Sequence, residues 1–165
     1  MPKTYNDLLL DGRHILRHIG VEAAELESRE LLAYAAGKDR QTLLRDLRLY
    51  VGEDVEQRFA ELLQRRMEGE PAAYIIGEWS FYDLDLDVNR SVLIPRADTE
   101  LIATRAIEAA TLAGDGCRVL DLCTGSGCIG LAVAKHVTSA RVVLADLSED
   151  ALHVARANAR RNGLT

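Results

Sequence analysis

Apolar residues recur at helical spacing through the first seventy positions of the chain. The clearest stripe places Val55, Phe59 and Leu62 on one face of a helix. The first predicted helix carries Leu8 to Ile19 and ends at Gly20, and the others are residues 21–36, 41–47 and 53–69, with glycines at most of their ends. Because such stripes need one another for burial, residues 1–72 are predicted to form a small helical bundle.

The periodicity changes after residue 72. Pro71 and Gly77 interrupt helical continuation, and the apolar residues Leu84, Leu86 and Val88 then alternate with polar ones. This alternation is typical of half-buried strands. It predicts a β-hairpin that turns near residues 82–83, within a linker of residues 73–96.

An α/β pattern follows from Ala97 onward. The predicted elements are a helix at 99–112, a strand at 117–122, a helix at 128–136, a strand at 140–146 and a helix at 149–162. The first strand, CRVLDL, has the composition of a strand that is buried on both faces. Residues 97–165 are therefore predicted to begin a Rossmann-like, doubly wound parallel sheet, and the fold class is α/β.

Composition narrows the function. The 165 residues carry a net charge of −6 and no long run of Lys or Arg, which argues against direct nucleic-acid binding. No apolar run has the length of a membrane span, so a cytoplasmic protein is expected. The three cysteines, Cys117, Cys123 and Cys128, lack the spacing and the histidine partner of a zinc site, and no metal site is predicted.

The connection after the first α/β strand carries the candidate chemistry. It reads VLDLCTGSGCIGL and contains Gly125, Gly127 and Gly130 in a G-x-G-x-x-G arrangement. Such glycines let the backbone approach a ligand at a helix N-terminus, and Asp146 at the next strand end can accept both hydroxyls of a ribose. These features fit NAD and S-adenosylmethionine equally.

Asp121 favours the second ligand. A carboxylate four residues before Gly125 would repel a pyrophosphate, whereas the sulfonium and ammonium groups of S-adenosylmethionine would be attracted. The loop alone therefore favours a methyltransferase, but two other interpretations are possible. It could belong to another nucleotide-binding Rossmann protein, such as an NAD-dependent oxidoreductase, or it could be a packing turn that binds no ligand.

The flanking sequence is more specific. The segments GEPAAYIIGEWSFYDLDLDVNRSVLIPRADTELI, VLDLCTGSGCIGLAVA and ADLSEDALHVARANARRNGL together resemble the peptide chain release factor glutamine methyltransferases, the HemK-like family. The resemblance covers essentially the whole chain. Cys123 stands where that family often has glycine, and Ala97 where it often has a second proline.

The resemblance implies a cofactor, a reaction and a partner. S-adenosylmethionine would be held by Cys123, Thr124, Gly125, Ser126 and Gly127, with Asp146 at the ribose and Asp121 beneath the methionine end. The methyl group would pass to the glutamine amide nitrogen in the Gly-Gly-Gln motif of class 1 release factors. Pro95, Arg96 and Glu100 would shape the site entrance, although a strand stop and an acidic helix start explain them equally well.

One part of the resemblance is missing. The family's Asn-Pro-Pro-Tyr motif, expected to hold the substrate amide, does not occur in the chain, which stops where a third strand of the sheet would follow. We expect a truncated catalytic domain with no catalytic residue of its own, an unpaired edge on the CRVLDL strand, exposed apolar surface, and weak or absent cofactor binding. A non-catalytic module that only docks a release factor stays open as a further alternative.

Overall fold

The computed structural model describes residues 2–164, which form two compact units divided between Ile76 and Gly77. The first unit contains helices α1 (Tyr5–His18), α2 (Ala24–Ala36), α3 (Arg40–Arg45), α4 (Glu53–Met67) and α5 (Ala72–Ile76). The second contains β1 (Glu78–Phe81), β2 (Leu84–Asp87), α6 (Thr99–Ala113), β3 (Arg118–Leu122), α7 (Cys128–His136), β4 (Arg141–Ala145) and α8 (Glu149–Arg161). The predicted fold class is confirmed: a helical N-terminal unit is followed by a hairpin and a Rossmann-like strand–helix–strand arrangement.

Local capping explains the position of three helix ends in the first unit. Thr4 and Asp7 form a reciprocal capping box at the start of α1, and the Asp39 side chain accepts a hydrogen bond from the Thr42 N–H at the start of α3. Gly37 ends α2 in a left-handed conformation. α2 begins three residues later than its apolar pattern predicts.

Phe59 lies at the centre of the helical unit. Its side chain is almost fully buried, and its ring lies over Gly12 of α1, where an added Cβ would come within 2.6 Å of the ring. That same Cβ would lie 2.6 Å from the Ser28 hydroxyl of α2, which donates a hydrogen bond to the Leu9 carbonyl at 3.0 Å. The absence of a side chain at Gly12 therefore lets three helices meet.

The short helix α5 was not predicted. Its five residues lie between Pro71 and Gly77, a length too short for a helical period to appear in the sequence. Pro71 does not break this helix but begins it, because the Pro71 carbonyl accepts hydrogen bonds from the N–H groups of Tyr74 and Ile75.

Both pairs of strands in the second unit have a defined register. β1 and β2 form the predicted antiparallel hairpin, in which Phe81 pairs with Leu84, whereas β3 and β4 are parallel. Helices α6 and α7 cover one face of the parallel pair through Ala110, Val133 and Val137. The glycine loop connects β3 to α7, as the pattern predicted.

The opposite face of the parallel pair is open. Leu120, Leu122 and Val143 are all more than half exposed, and in the described residues β3 pairs with β4 alone. The prediction that CRVLDL is buried on both faces is wrong, because no other part of residues 2–164 covers the face that carries Leu120 and Leu122. The predicted unpaired edge and exposed apolar surface are confirmed.

No helix among residues 2–164 has both the length and the apolar character that a membrane crossing requires.

Candidate cofactor site

The two candidate carboxylates lie at one edge of the parallel sheet. Asp121 is at the end of β3 and Asp146 directly follows β4, and the register pairs Leu122 with Ala145. The Thr124 N–H continues this pairing by donating to the Ala145 carbonyl at 2.9 Å. In open α/β sheets, ligands bind beyond the carboxyl ends of the strands, which is where both acids lie.

The Asp121 carboxylate links the glycine loop to the start of α7 through two hydrogen bonds. Its Oδ2 atom accepts hydrogen bonds from the Thr124 hydroxyl at 2.7 Å and from the Gly130 N–H at 2.8 Å. Gly130 permits this approach, because a Cβ there would lie 2.9 Å from Asp121 Oδ2 and 2.3 Å from Leu144 Cδ2. The third glycine of the motif therefore serves helix–strand packing.

Asp146 holds the middle of the loop. Its Oδ2 atom accepts a hydrogen bond from the Gly125 N–H and its Oδ1 atom one from the Ser148 N–H, both at 2.9 Å. These two backbone donors, Ser148 first, lower the pKa of the Asp146 carboxyl below its usual value. A carboxylate has about four lone-pair sites, so Asp146 keeps acceptor capacity for hydroxyl groups.

The lowered pKa of Asp146 has a consequence for stability at acid pH. The folded state favours the ionised carboxylate. Its contribution to the free energy of unfolding is therefore complete above the unfolded pKa of about 3.9 and is lost as pH falls through the lower folded pKa. We therefore expect Asp146→Asn to flatten the loss of stability between about pH 5 and pH 2. Urea unfolding at a series of pH values measures this, with the exposed Asp115→Asn as control; parallel profiles of the parent and Asp146→Asn would contradict it.

The loop backbone adopts left-handed conformations at three positions. Gly125 and Gly127 have φ angles of 55° and 86°, and Cys123 has a φ of 61° without being a glycine. Cys123 is also exposed, whereas Cys128 is buried and its thiol pKa is raised by desolvation. Position 123 thus combines an accessible side chain with a backbone that favours glycine.

Cys123→Gly should stabilise the second unit. A left-handed conformation destabilises a residue that has a side chain by about 1–2 kcal/mol, and Cys123→Gly removes this strain from the folded state. Glycine is also more flexible in the unfolded chain, which offsets about 0.5–1 kcal/mol of the gain. The net gain expected in the free energy of unfolding is about 0.5–1 kcal/mol. Urea denaturation measures it, and Cys123→Ala, which removes the thiol and keeps the strain, should show no gain. If Cys123→Gly and Cys123→Ala have the same free energy of unfolding, the backbone at this position is not strained.

Four amides of the loop and of the first turn of α7 already donate hydrogen bonds within the protein. The N–H groups of Thr124 and Gly127 donate to backbone carbonyls, while those of Gly125 and Gly130 donate to Asp146 and Asp121. Pyrophosphate-binding loops instead direct such amides at phosphate oxygens. The two carboxylates therefore occupy donors that a dinucleotide would need, which fits a ligand that has no phosphate, such as S-adenosylmethionine.

Glu100 lies in the segment that the resemblance singled out, and it contacts the hairpin turn. Its Oε1 atom accepts a hydrogen bond from the N–H of Tyr82 at 2.9 Å, and Tyr82 has a left-handed φ of 57°. Arg96 is exposed and pairs with Asp98 at 3.2 Å, and Pro95 is buried. Glu100 thus stabilises a strained turn, and a role for Pro95, Arg96 and Glu100 at the site entrance stays a prediction.

Sequence reasoning missed Asn158. This side chain is fully buried and donates to the carbonyl of Ser126, within the loop, at 2.9 Å. The available signal was its position on the buried stripe of α8 with Ala151, Val154 and Ala155, where an amide needs hydrogen-bond partners.

Comparison with known proteins identifies the two parts of the chain. Residues 7–77 match the PrmC N-terminal domain, and residues 113–165 match a methyltransferase domain. The first match covers the helical unit, and the second includes β3, the glycine loop and β4.

Relatives make the identification more specific. The chain is similar to the release factor glutamine methyltransferases of Haemophilus influenzae, at 36% identity over 87% of the chain and 53% of the relative, and of Geobacter sulfurreducens, at 40% over 92% and 52%. It is also 35% identical to a bifunctional methyltransferase of Rickettsia felis, over 91% of the chain and 33% of the relative. The resemblance to the release factor glutamine methyltransferases is confirmed, and the chain spans about half the length of these relatives and a third of the bifunctional one.

Proposed function

We propose that the protein acts in the cytoplasm and methylates the side-chain amide nitrogen of the glutamine in the Gly-Gly-Gln motif of class 1 peptide chain release factors, with S-adenosylmethionine as methyl donor. The observation that carries the cofactor assignment is the glycine loop whose Gly125 and Gly130 amides are bonded to carboxylates. The names of the relatives support the substrate.

Each loop residue would have a part in holding the cofactor. Asp146 would accept hydrogen bonds from the ribose hydroxyls, and Asp121 would attract the positively charged methionine end. Cys123, Thr124, Gly125, Ser126 and Gly127 bring the backbone close to the ligand. When bound, S-adenosylmethionine supplies the methyl group on an electrophilic carbon attached to sulfonium.

Transfer to a glutamine amide needs more than the cofactor. The nitrogen lone pair is delocalised, so catalysis depends on holding the amide in line with the methyl group and on hydrogen bonds that favour attack. No residue of this chain is assigned that role, and the chain has no Asn-Pro-Pro-Tyr motif. We propose that residues 1–72 recognise the release factor and that residues 1–165 alone do not transfer the methyl group.

A hybrid enzyme tests the proposed function. Residues 1–165 are joined to the part of the Geobacter sulfurreducens relative that follows its aligned segment, and the hybrid is incubated with a class 1 release factor and S-adenosylmethionine. Mass spectrometry should find one methyl group on the Gly-Gly-Gln glutamine with the parent hybrid, and none with its Asp146→Ala variant or with residues 1–165 alone. A folded hybrid that binds S-adenosylhomocysteine and leaves this glutamine unmethylated would contradict the proposal.

A further inference from the structure

We propose that Asn158 is a positioning residue that fixes the glycine loop in its ligand-binding conformation by tying it to the hairpin. The proposal rests on the proposed function in so far as the loop holds S-adenosylmethionine. The side-chain hydrogen bonds of Asn158 go to Asp87 and Ser126 and not to the carboxylates of Asp121 and Asp146, so its contribution would pass through the Ser126 carbonyl.

The amide of Asn158 makes three hydrogen bonds at once. Its Nδ2 group donates to the Ser126 carbonyl at 2.9 Å and to the Asp87 carbonyl at 3.0 Å, and its Oδ1 atom accepts from the Asp87 N–H at 2.6 Å. Asn158 is fully buried and Ser126 nearly so. Without Asn158 the Ser126 carbonyl would lose this partner in a place where water does not readily replace it.

The Ser126 carbonyl belongs to the peptide bond that precedes Gly127. Gly127 has a φ of 86° and is the N-cap of α7, so the plane of this peptide bond sets the direction in which the loop enters the helix. Holding the carbonyl against α8 fixes that plane. The amides of Gly125 and Gly127, on either side of Ser126, then reach their own acceptors, Asp146 Oδ2 and the Thr124 carbonyl.

The chain offers a matched control one helical turn away. Asn162 also ties α8 to the hairpin, because its Nδ2 group donates to the Asp85 carbonyl at 2.9 Å and its Oδ1 atom accepts from the Asp85 N–H at 3.3 Å. None of its bonds reaches the glycine loop. Asn158→Ala and Asn162→Ala therefore both loosen the hairpin, and only the first releases the loop.

Hydrogen exchange of residues 1–165 separates the two roles. We expect Asn158→Ala to speed exchange at the Gly125 and Gly127 amides by at least about tenfold, and Asn162→Ala to change it by less than about twofold, with α6 amides unaffected in both. If Asn158→Ala does not fold, Asn158→Leu is used in its place, because Leu fills a similar volume and removes both donors. Equal exchange at Gly125 and Gly127 in the Asn158 and Asn162 variants would overturn the proposal.

Ligand binding gives the second readout. Titration with S-adenosylhomocysteine should show affinity reduced by about tenfold in the Asn158 variant and by less than about twofold in Asn162→Ala. Equal affinities would overturn the part of the proposal that concerns the ligand. Binding of residues 1–165 alone is expected to be weak or absent, so where it is too weak to measure the same variants are titrated in the hybrid enzyme. A folded parent hybrid that does not bind would count against the proposed function, and hydrogen exchange would then decide the positioning role by itself.

Discussion

Asp121→Ala should remove the cofactor site and destabilise the second unit together. The substitution deletes the acceptor of two hydrogen bonds, one from the Thr124 hydroxyl and one from the buried Gly130 N–H. An unpaired buried donor costs about 1–3 kcal/mol, and hydrogen bonds to a charged group are stronger than average, so we expect the free energy of unfolding to fall by about 2–3 kcal/mol. Because the loop and the first turn of α7 then lose their common hydrogen-bond acceptor, binding of S-adenosylhomocysteine should be lost.

Urea denaturation and ligand titration of the same samples measure the two effects. Asp115→Ala is the control, since Asp115 lies in the exposed turn before β3 and should leave both quantities unchanged. Asp121→Asn retains an acceptor without the charge, so it should recover part of the stability and little of the binding. If the Asp121→Ala chain is as stable as the parent, the hydrogen bonds of this carboxylate do not stabilise the loop.

Phe59→Ala should unfold the helical unit. The ring is 2% exposed and fills the space where α1, α2 and α4 meet over Gly12. Replacing a buried Phe by Ala costs about 3–5 kcal/mol, which approaches the whole stability of a unit of this size. Neighbouring side chains can fill this space only by shifting three helices.

Circular dichroism and hydrogen exchange of α1 and α2 test this expectation. Tyr50→Ala is the matched control, because it removes an aromatic side chain that is 71% exposed and should cost less than about 0.5 kcal/mol. Retained protection of the α1 amides in Phe59→Ala would show that the core of the unit is organised around other residues.

Helices and strands that are marked by capping residues or by a clear apolar pattern within their own sequence could be predicted. α7 and α8 begin within a residue of the predicted positions, because the left-handed Gly127 and the Ser148 side-chain cap mark those positions locally. The hairpin follows from strict alternation and was placed correctly. The helix α5 gave no comparable signal, since five residues make little more than one turn.

Contacts between distant residues could not be predicted in the same way. The sequence indicated that Asp121 and Asp146 each lie at the end of a strand, but it did not show that both carboxylates accept hydrogen bonds from amides of the glycine motif. The bond from Asn158 to Ser126 spans 32 residues and depends on how α8 packs. The burial of Leu120 and Leu122 depends on what covers the second face of the sheet, which the composition of the strand does not reveal.

The central claim is that the loop from Asp121 to Gly130, together with Asp146, binds S-adenosylmethionine and not a dinucleotide. Nuclear magnetic resonance titration of residues 1–165 with S-adenosylhomocysteine and, separately, with NADH tests it most directly. We expect weak but saturable shifts of the Gly125 and Gly127 amides with S-adenosylhomocysteine and none with NADH. Shifts of these amides with NADH alone would contradict it.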